Sequence, residues 1–171
     1  MNRPQAYISF EVYEDGIDLL GIAKATLPDI SYLTSTITGA GMMGNIETPL
    51  AGMIDVMTLN LQFLSVTGAA SKLLVPKKHH IDLRAVEQYW DTSEVELGFT
   101  KQKHVMTVLP KKMSPGTIAP VTAADASGEF NVYYYAAFEN GNSLWEIDPF
   151  NQIFSVGGVD YWADIRKGLG L

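Results

Sequence analysis

Cysteine is absent from this chain of 171 residues, so neither disulfides nor thiolate-ligated zinc can hold it together. Charge is sparse: 18% of residues are charged against 47% apolar, where about a quarter charged is usual for a soluble domain. A surface short of charge leaves more area to bury against partners. Histidine occurs three times. His79 and His80 are adjacent, so in an extended segment they face opposite sides and do not chelate one ion, and His104 stands apart. No metal site is expected. No apolar run approaches the roughly 20 residues that span a bilayer. The opening Met1-Asn2-Arg3-Pro4-Gln5 lacks the apolar core of a signal peptide. These absences suit a cytosolic protein or a component of an assembled particle.

The length predicts one domain, residues 1–171, large enough to bury about two-thirds of its unfolded surface. The net charge of −7 is unevenly spread: residues 1–60 carry seven acids against two bases, 61–128 six against eight, and 129–171 six against two. A nucleic-acid-binding patch would want clustered Lys and Arg on a basic domain. Acidic ends around a mildly basic middle suit copies that stack opposite charges, and they also suit ordinary solvated surface.

The most informative stretch is 30–64. It contains Gly39-Ala40-Gly41-Met42-Met43-Gly44, which spells G-x-G-x-x-G. A dinucleotide site built on that spacing needs a strand before it and a helix after it, whose N-terminus holds a pyrophosphate. The run 30–38, rich in Thr, Ile and Tyr, can supply the strand. The helix fails, because Asn45-Ile46-Glu47-Thr48-Pro49 follows and Pro49 leaves no room for one. No nucleotide or other cofactor is expected. Met57, Leu59, Leu61 and Phe63 then alternate with Thr58, Asn60 and Gln62, which is strand periodicity. The stretch therefore reads as a long hairpin joining 30–38 to 57–63 across a glycine-rich tip. Met42 and Met43 at that tip either meet a partner or fold back on their own core.

The rest of the chain is mostly extended. Residues 7–13 alternate, with Ile8, Phe10 and Val12 on one side, and Glu14-Asp15-Gly16 signals a turn. A second apolar run covers 19–27. Residues 67–75 read as a short helix capped by Thr67 and stopped by Pro76. Strands follow at 81–90 and 99–109, and 111–128 reads as an irregular loop holding Pro115, Gly116 and Pro120. From 129 to 139 Phe130, Val132, Tyr134, Ala136 and Phe138 share one face, with Tyr133 and Tyr135 on the other. Asn140-Gly141 predicts a type I′ turn into 143–147. A last strand at 152–156 breaks at Gly157-Gly158, and Asp160 caps a final helix over 161–167. This makes roughly eight strands and two short helices without a βαβ rhythm. The fold class is mainly β: two packed antiparallel sheets, a sandwich or half-barrel with short flanking helices.

No catalytic constellation emerges. There is no cysteine nucleophile, no G-x-S-x-G elbow, and the histidines sit beside lysines in basic strand-like segments. Asp160 and Asp164 read as a helix cap and a surface acid. The chain is expected not to be an enzyme.

Order and combination of several stretches resemble a known family. These are Leu20-Gly21-Ile22, Leu27-Pro28, the cluster 39–45, Ile147-Asp148, Asn151, Ile153, Val159-Asp160 and the closing Gly170-Leu171. Together they resemble the major tail tube proteins of contractile-tailed bacteriophages, a family that also serves R-type bacteriocins (tailocins). The likeness is firm over the glycine cluster and the C-terminal quarter and loose between 64 and 128.

The resemblance implies hexameric rings stacked into a helical inner tube, through which DNA or, in a bacteriocin, ions pass after sheath contraction. It implies as partners further copies of the chain, the tail sheath protein, baseplate hub and tail terminator proteins, and a tape-measure protein in the lumen. It places the chain in a virion tail or bacteriocin particle assembled in the host cytoplasm. By the same analogy Gly39, Gly41, Met42, Met43 and Gly44 are expected at a subunit interface, and Glu47 and Asp55 at an acidic lumen. The competing reading is a monomeric carbohydrate- or protein-binding β-sandwich, with Tyr7, Tyr13, Tyr133, Tyr135, Trp145, Tyr161 and Trp162 as an aromatic platform.

Overall fold

The computed structural model describes residues 1–15, 18–19 and 22–171. Gly16 of the expected first turn, and Leu20 and Gly21, lie outside them. Among the described residues the chain forms β1 (Asn2–Glu14), β2 (Asp18–Leu19), β3 (Ile22–Thr26), β4 (Tyr32–Ile37), β5 (Ile46–Ile54) and β6 (Met57–Phe63). It continues through α1 (Gly68–Lys72), β7 (His79–Asp91), β8 (Glu96–Ser114), β9 (Ala126–Glu139), β10 (Asn142–Asp148), β11 (Ile153–Val156), β12 (Val159–Asp160) and α2 (Ala163–Gly168). The fold is mainly β with antiparallel sheets and two short helices.

Ten strands form one sheet, in the order β12-β11-β10-β9-β8-β7-β1-β2, and β6 and β3 branch from it at β9. The branch explains the two layers. One edge of β9 is covered by β8 along its length, while the other is shared between β6, over 126–132, and β10, over 135–139. The limb β6–β3 thus folds back over β1–β7–β8. The core lies between the limbs, with Val12, Leu59, Leu61, Ile81, Met106 and Phe130 nearly inaccessible.

A β-bulge sits where β9 changes partner. Thr107 pairs with Tyr134 and Val108 with Val132, so Tyr133 is an extra residue on β9. An extra residue inverts the alternation beyond it. Phe130 and Val132 face the core, and past the bulge Tyr135 does so too, at 1% exposure. This corrects the sequence reading, which put Tyr135 on the opposite face from Phe130.

Three other expectations need adjusting. First, the strand returning from the glycine tip is β5, not 57–63: β4 and β5 form their own two-stranded sheet, whereas β6 pairs with β3 and β9. Pro49 is tolerated in β5 because each strand of a two-stranded ribbon has an unpaired side and the pairing is already interrupted beside it, between Tyr32 and Thr34. Second, the irregular segment shrinks to 115–125, since β8 and β9 extend into both ends of the stretch read as loop. Third, α2 begins at Ala163. Asp160 closes the turn before it, its carboxylate accepting the Trp162 N–H at 3.0 Å.

The shorter features follow the sequence closely. Thr67 caps α1 by accepting from the Ala70 N–H, and Ala70 and Leu73, one turn apart, bury against the core. Asn140 and Gly141 both have positive φ, 48° and 84°, as a type I′ turn requires. His79 is fully buried, with one ring nitrogen against the Glu14 carboxylate and the other 2.9 Å from the Val75 carbonyl. It ties β1, β7 and the exit of α1 together.

Candidate assembly surface

The β4–β5 hairpin stands outside the core. All six residues of β4 are exposed, and Tyr32, Ile37, Met42, Met43, Ile46 and Met53 each present apolar area to solvent. An isolated two-stranded hairpin is marginally stable in water, and exposed apolar side chains gathered on one hairpin point to an interaction site. At its tip the Met42 N–H donates to the Gly39 carbonyl at 3.2 Å, closing a turn with Gly41 at φ 91°. That is the third position of a type II turn, which excludes a Cβ in practice. The turn leaves Met43 fully exposed and Met42 over a third exposed.

The tip glycines and methionines expected at an interface thus share one projecting loop. Glu47 and Asp55 lie at opposite ends of the hairpin. Eight residues at roughly 3.3 Å each put them at most about 26 Å apart along the strand. Glu47 accepts from the Thr34 hydroxyl at 2.7 Å, and the Asp55 carboxylate accepts from the Val56 N–H at 2.7 Å. Both are exposed.

Charge divides along the same lines. From Ala25 to Ser71 the chain holds Asp29, Glu47 and Asp55 and no Lys, Arg or His. The outer face of β7–β8 carries Arg84, Lys101 and Lys103, with Asp82 2.9 Å from Arg84 and 3.6 Å from Lys103. Among the described residues a second open region is the edge of β1 away from β7, which pairs with β2 at Tyr13 and Glu14 alone. Beside it Tyr7 and Ile8 are exposed, as are Leu97 and Phe99 where β8 begins.

The aromatic platform does not form. Tyr135 is buried, Trp145 and Trp162 pack against the core, and Tyr133 stacks on Phe150 with ring centroids 5.7 Å apart. Sequence reasoning missed the placements of Tyr133 and Tyr135 because the bulge at Tyr133 decides them, and no local signal announces it. Among the described residues no three or more His, Asp or Glu cluster as metal ligands, and no helix is long and apolar enough to cross a membrane.

His104 is buried on β8, its Nδ1 3.0 Å from the Tyr135 hydroxyl. Burial lowers the His104 pKa. Burial, and secondarily the charge of Tyr7, raises that of Tyr135. At neutral pH both groups are therefore uncharged, and one hydrogen bond joins them. Because the folded His104 pKa lies below the unfolded value near 6.5, the unfolded chain takes up a proton first as pH falls. The His104 contribution is complete above about pH 6.5 and declines below it. Urea midpoints of the wild type should fall between pH 7 and 5, and those of His104→Gln should fall less. Equal slopes would assign the loss to other groups.

Comparison with solved structures defines the class of fold. The chain matches the sheath/tube terminator of an extracellular contractile injection system, PVC, in its extended state. The TM-score is 0.55 at 14% identity, covering 80% of this chain and 97% of that one. A sheath–tube complex of the PVC system gives a weaker likeness, with TM-score 0.48, 15% identity, and 75% and 87% of the two chains covered. No curated protein matches. The family described as phage tail tube protein FII matches residues 4–170, and the chain belongs to it. It is a tail tube protein by family, with a structural role in a tail or a related particle.

Proposed function

We propose that this chain assembles as hexameric rings that stack into the inner tube of a contractile tail or R-type bacteriocin. The observation that carries this reading is the β4–β5 hairpin, an apolar arm outside the core that needs a neighbouring copy to cover it. Ring closure would also remove the open edge of β1 as a site of uncontrolled pairing. In this arrangement the tip residues Gly39, Gly41, Met42, Met43 and Gly44 contact the adjacent copy.

Glu47 and Asp55 face the lumen, where carboxylates repel DNA phosphates and let a genome pass without sticking. The tube would serve as a conduit for DNA in a phage or ions in a bacteriocin. It would be enclosed by the sheath protein, bounded by hub and terminator proteins and filled before ejection by a tape-measure protein. It is built in the host cytoplasm. The role is structural, with no catalytic step.

Negative-stain electron microscopy of the purified protein at high concentration tests the reading. Rings or tubes with a central channel are expected. A particle that stays monomeric at every concentration and ignores tail-assembly partners overturns it. Within assembled tubes Asp55→Lys should leave tube formation intact and impair ejection; unchanged ejection would remove Asp55 from the lumen.

A further inference from the structure

The hairpin is joined to the body in an unusual way. Along β4 and β5 the register shifts: Tyr32 pairs with Ile54 but Thr34 with Pro49, so residues 50–53 of β5 stand opposite Leu33 alone. The excess chain bows outward around Gly52, whose φ is 70°. The indole of Trp162 lies against this bow. Its Nε1–H donates to the Ala51 carbonyl at 3.1 Å. A Cβ on Gly52 would fall 2.0 Å from Nε1 and 2.2 Å from Cδ1, an overlap that no rotation about the Gly52 Cα–Cβ bond relieves. Glycine is required here for both its conformation and its bareness.

Among the described residues this is the one hydrogen bond from β4 or β5 to the body. The other contacts are apolar and loosely filled. Tyr32 and Phe154 meet with centroids 5.8 Å apart, and a cavity of about 160 Å³ lies between Leu33, Met53 and Ile54 on the hairpin side and Ile147, Ile153 and Phe154 on the body. Trp162, by contrast, is firmly held. Asp160 accepts its backbone N–H. Arg166 clamps the Asp160 carboxylate and also donates to the Gln152 carbonyl at 2.6 Å. The Arg166 guanidinium accordingly holds the Asp160 carboxyl below the usual carboxylate range. A rigid contact across a soft joint sets the angle of whatever lies beyond it.

We propose that Trp162 is a positioning residue for assembly: it latches onto the Gly52 bow and fixes the angle at which the hairpin is presented to a second copy of the chain. The inference rests on the assembly reading above, but the latch itself is a property of the single chain. It makes the segment from Asp160 to Arg166 part of the assembly apparatus even though the contacting surface is the hairpin. Pre-setting the arm lowers the ordering cost at the moment of association, and releasing the latch would leave the contact residues intact yet unaligned.

Hydrogen exchange on the monomer, followed by assembly of the same samples, tests this with Gly52→Ala and Trp162→Phe. Gly52→Ala pushes the indole away from the hairpin side by a change made on the hairpin itself, and Trp162→Phe deletes the N–H while keeping an aromatic ring. Exchange within residues 32–54 should rise about tenfold in Gly52→Ala and severalfold in Trp162→Phe, the scale of one hydrogen bond with its packing. Exchange in β7–β9 should stay at the wild-type rate, and the assembled fraction should fall in the same order. Wild-type hairpin protection in both variants, or an equal rise across all strands, overturns the latch. Should the wild type itself not assemble, the tube reading fails, while the exchange data still decide the latch.

Discussion

Met42→Glu combined with Met43→Glu abolishes tube formation and leaves the monomer's melting temperature within about 1–2 °C of wild type. Both residues occupy the turn at the end of the projecting hairpin, away from the core cluster. Substitutions at such positions change stability by roughly 0.5 kcal/mol or less, which for a chain of this size is a shift of about 1–2 °C. The expected effect on assembly is far larger. In the proposed tube the two thioethers bury against the next copy, and two carboxylates there would be desolvated without partners, at several kcal/mol each. The penalty recurs at every subunit contact, so a ring suffers it six times under the hexameric reading. The surrounding hairpin is already acidic through Glu47 and Asp55, which adds repulsion. Sedimentation and electron microscopy on the double variant provide the readout. Tubes at wild-type yield would show that the tip is free in the assembly and would shift the interface to the β1 edge.

The second large effect is on folding. Leu61→Ala should destabilise the monomer by about 2–5 kcal/mol, the range for removing a leucine from a closed core. That corresponds to a drop in melting temperature of roughly 4–20 °C. Leu61 is fully buried, on a strand paired on both sides: Ala25 of β3 is its partner on one, Gly128 of β9 on the other. Pairing on both edges restricts how far the backbone can collapse into the space, which favours the upper half of the range. Urea denaturation followed by circular dichroism measures it. A loss below 1 kcal/mol would mean that the two limbs close over the gap, and that the β6–β3 limb is far softer than its burial suggests. The comparison with the methionine variant is informative as a pair. One should remove assembly without stability, the other stability first.

Much of this architecture was legible from residue types alone. The period-two face of Met57, Leu59, Leu61 and Phe63 is buried at all four positions, because a strand facing a core has only two sides to choose between. Thr67, Asn140 and Gly141 mark their cap and turn because the determinant is local: a side-chain oxygen for an orphan N–H, or a backbone free to take positive φ. That a strand and not a helix follows the glycine cluster was legible for the same reason, since Pro49 lies too near for a helix.

Strand partners were not legible. The reading of 57–63 as the return strand of the hairpin fails because alternation says which face a strand buries, not which neighbour it pairs with. Both 46–54 and 57–63 can be extended, and the choice was made by β3 and β9, which come from far along the chain and claim β6 on both edges.

The sequence by itself determined a mainly β protein without metal-binding thiols, with a glycine-tipped projecting loop bearing two methionines and an acidic, lysine-free stretch around it. Those properties follow from composition and short-range stereochemistry, which any fold of this chain must respect. Tertiary structure alone decided that the β9 edge is divided between two limbs, that a one-residue bulge at Tyr133 sends Tyr135 inward to His104, and that Trp162 arrives beside Gly52 from 110 positions away. Each of these depends on contacts between residues remote in sequence, where the energy comes from burying two surfaces against each other and neither surface carries the information alone.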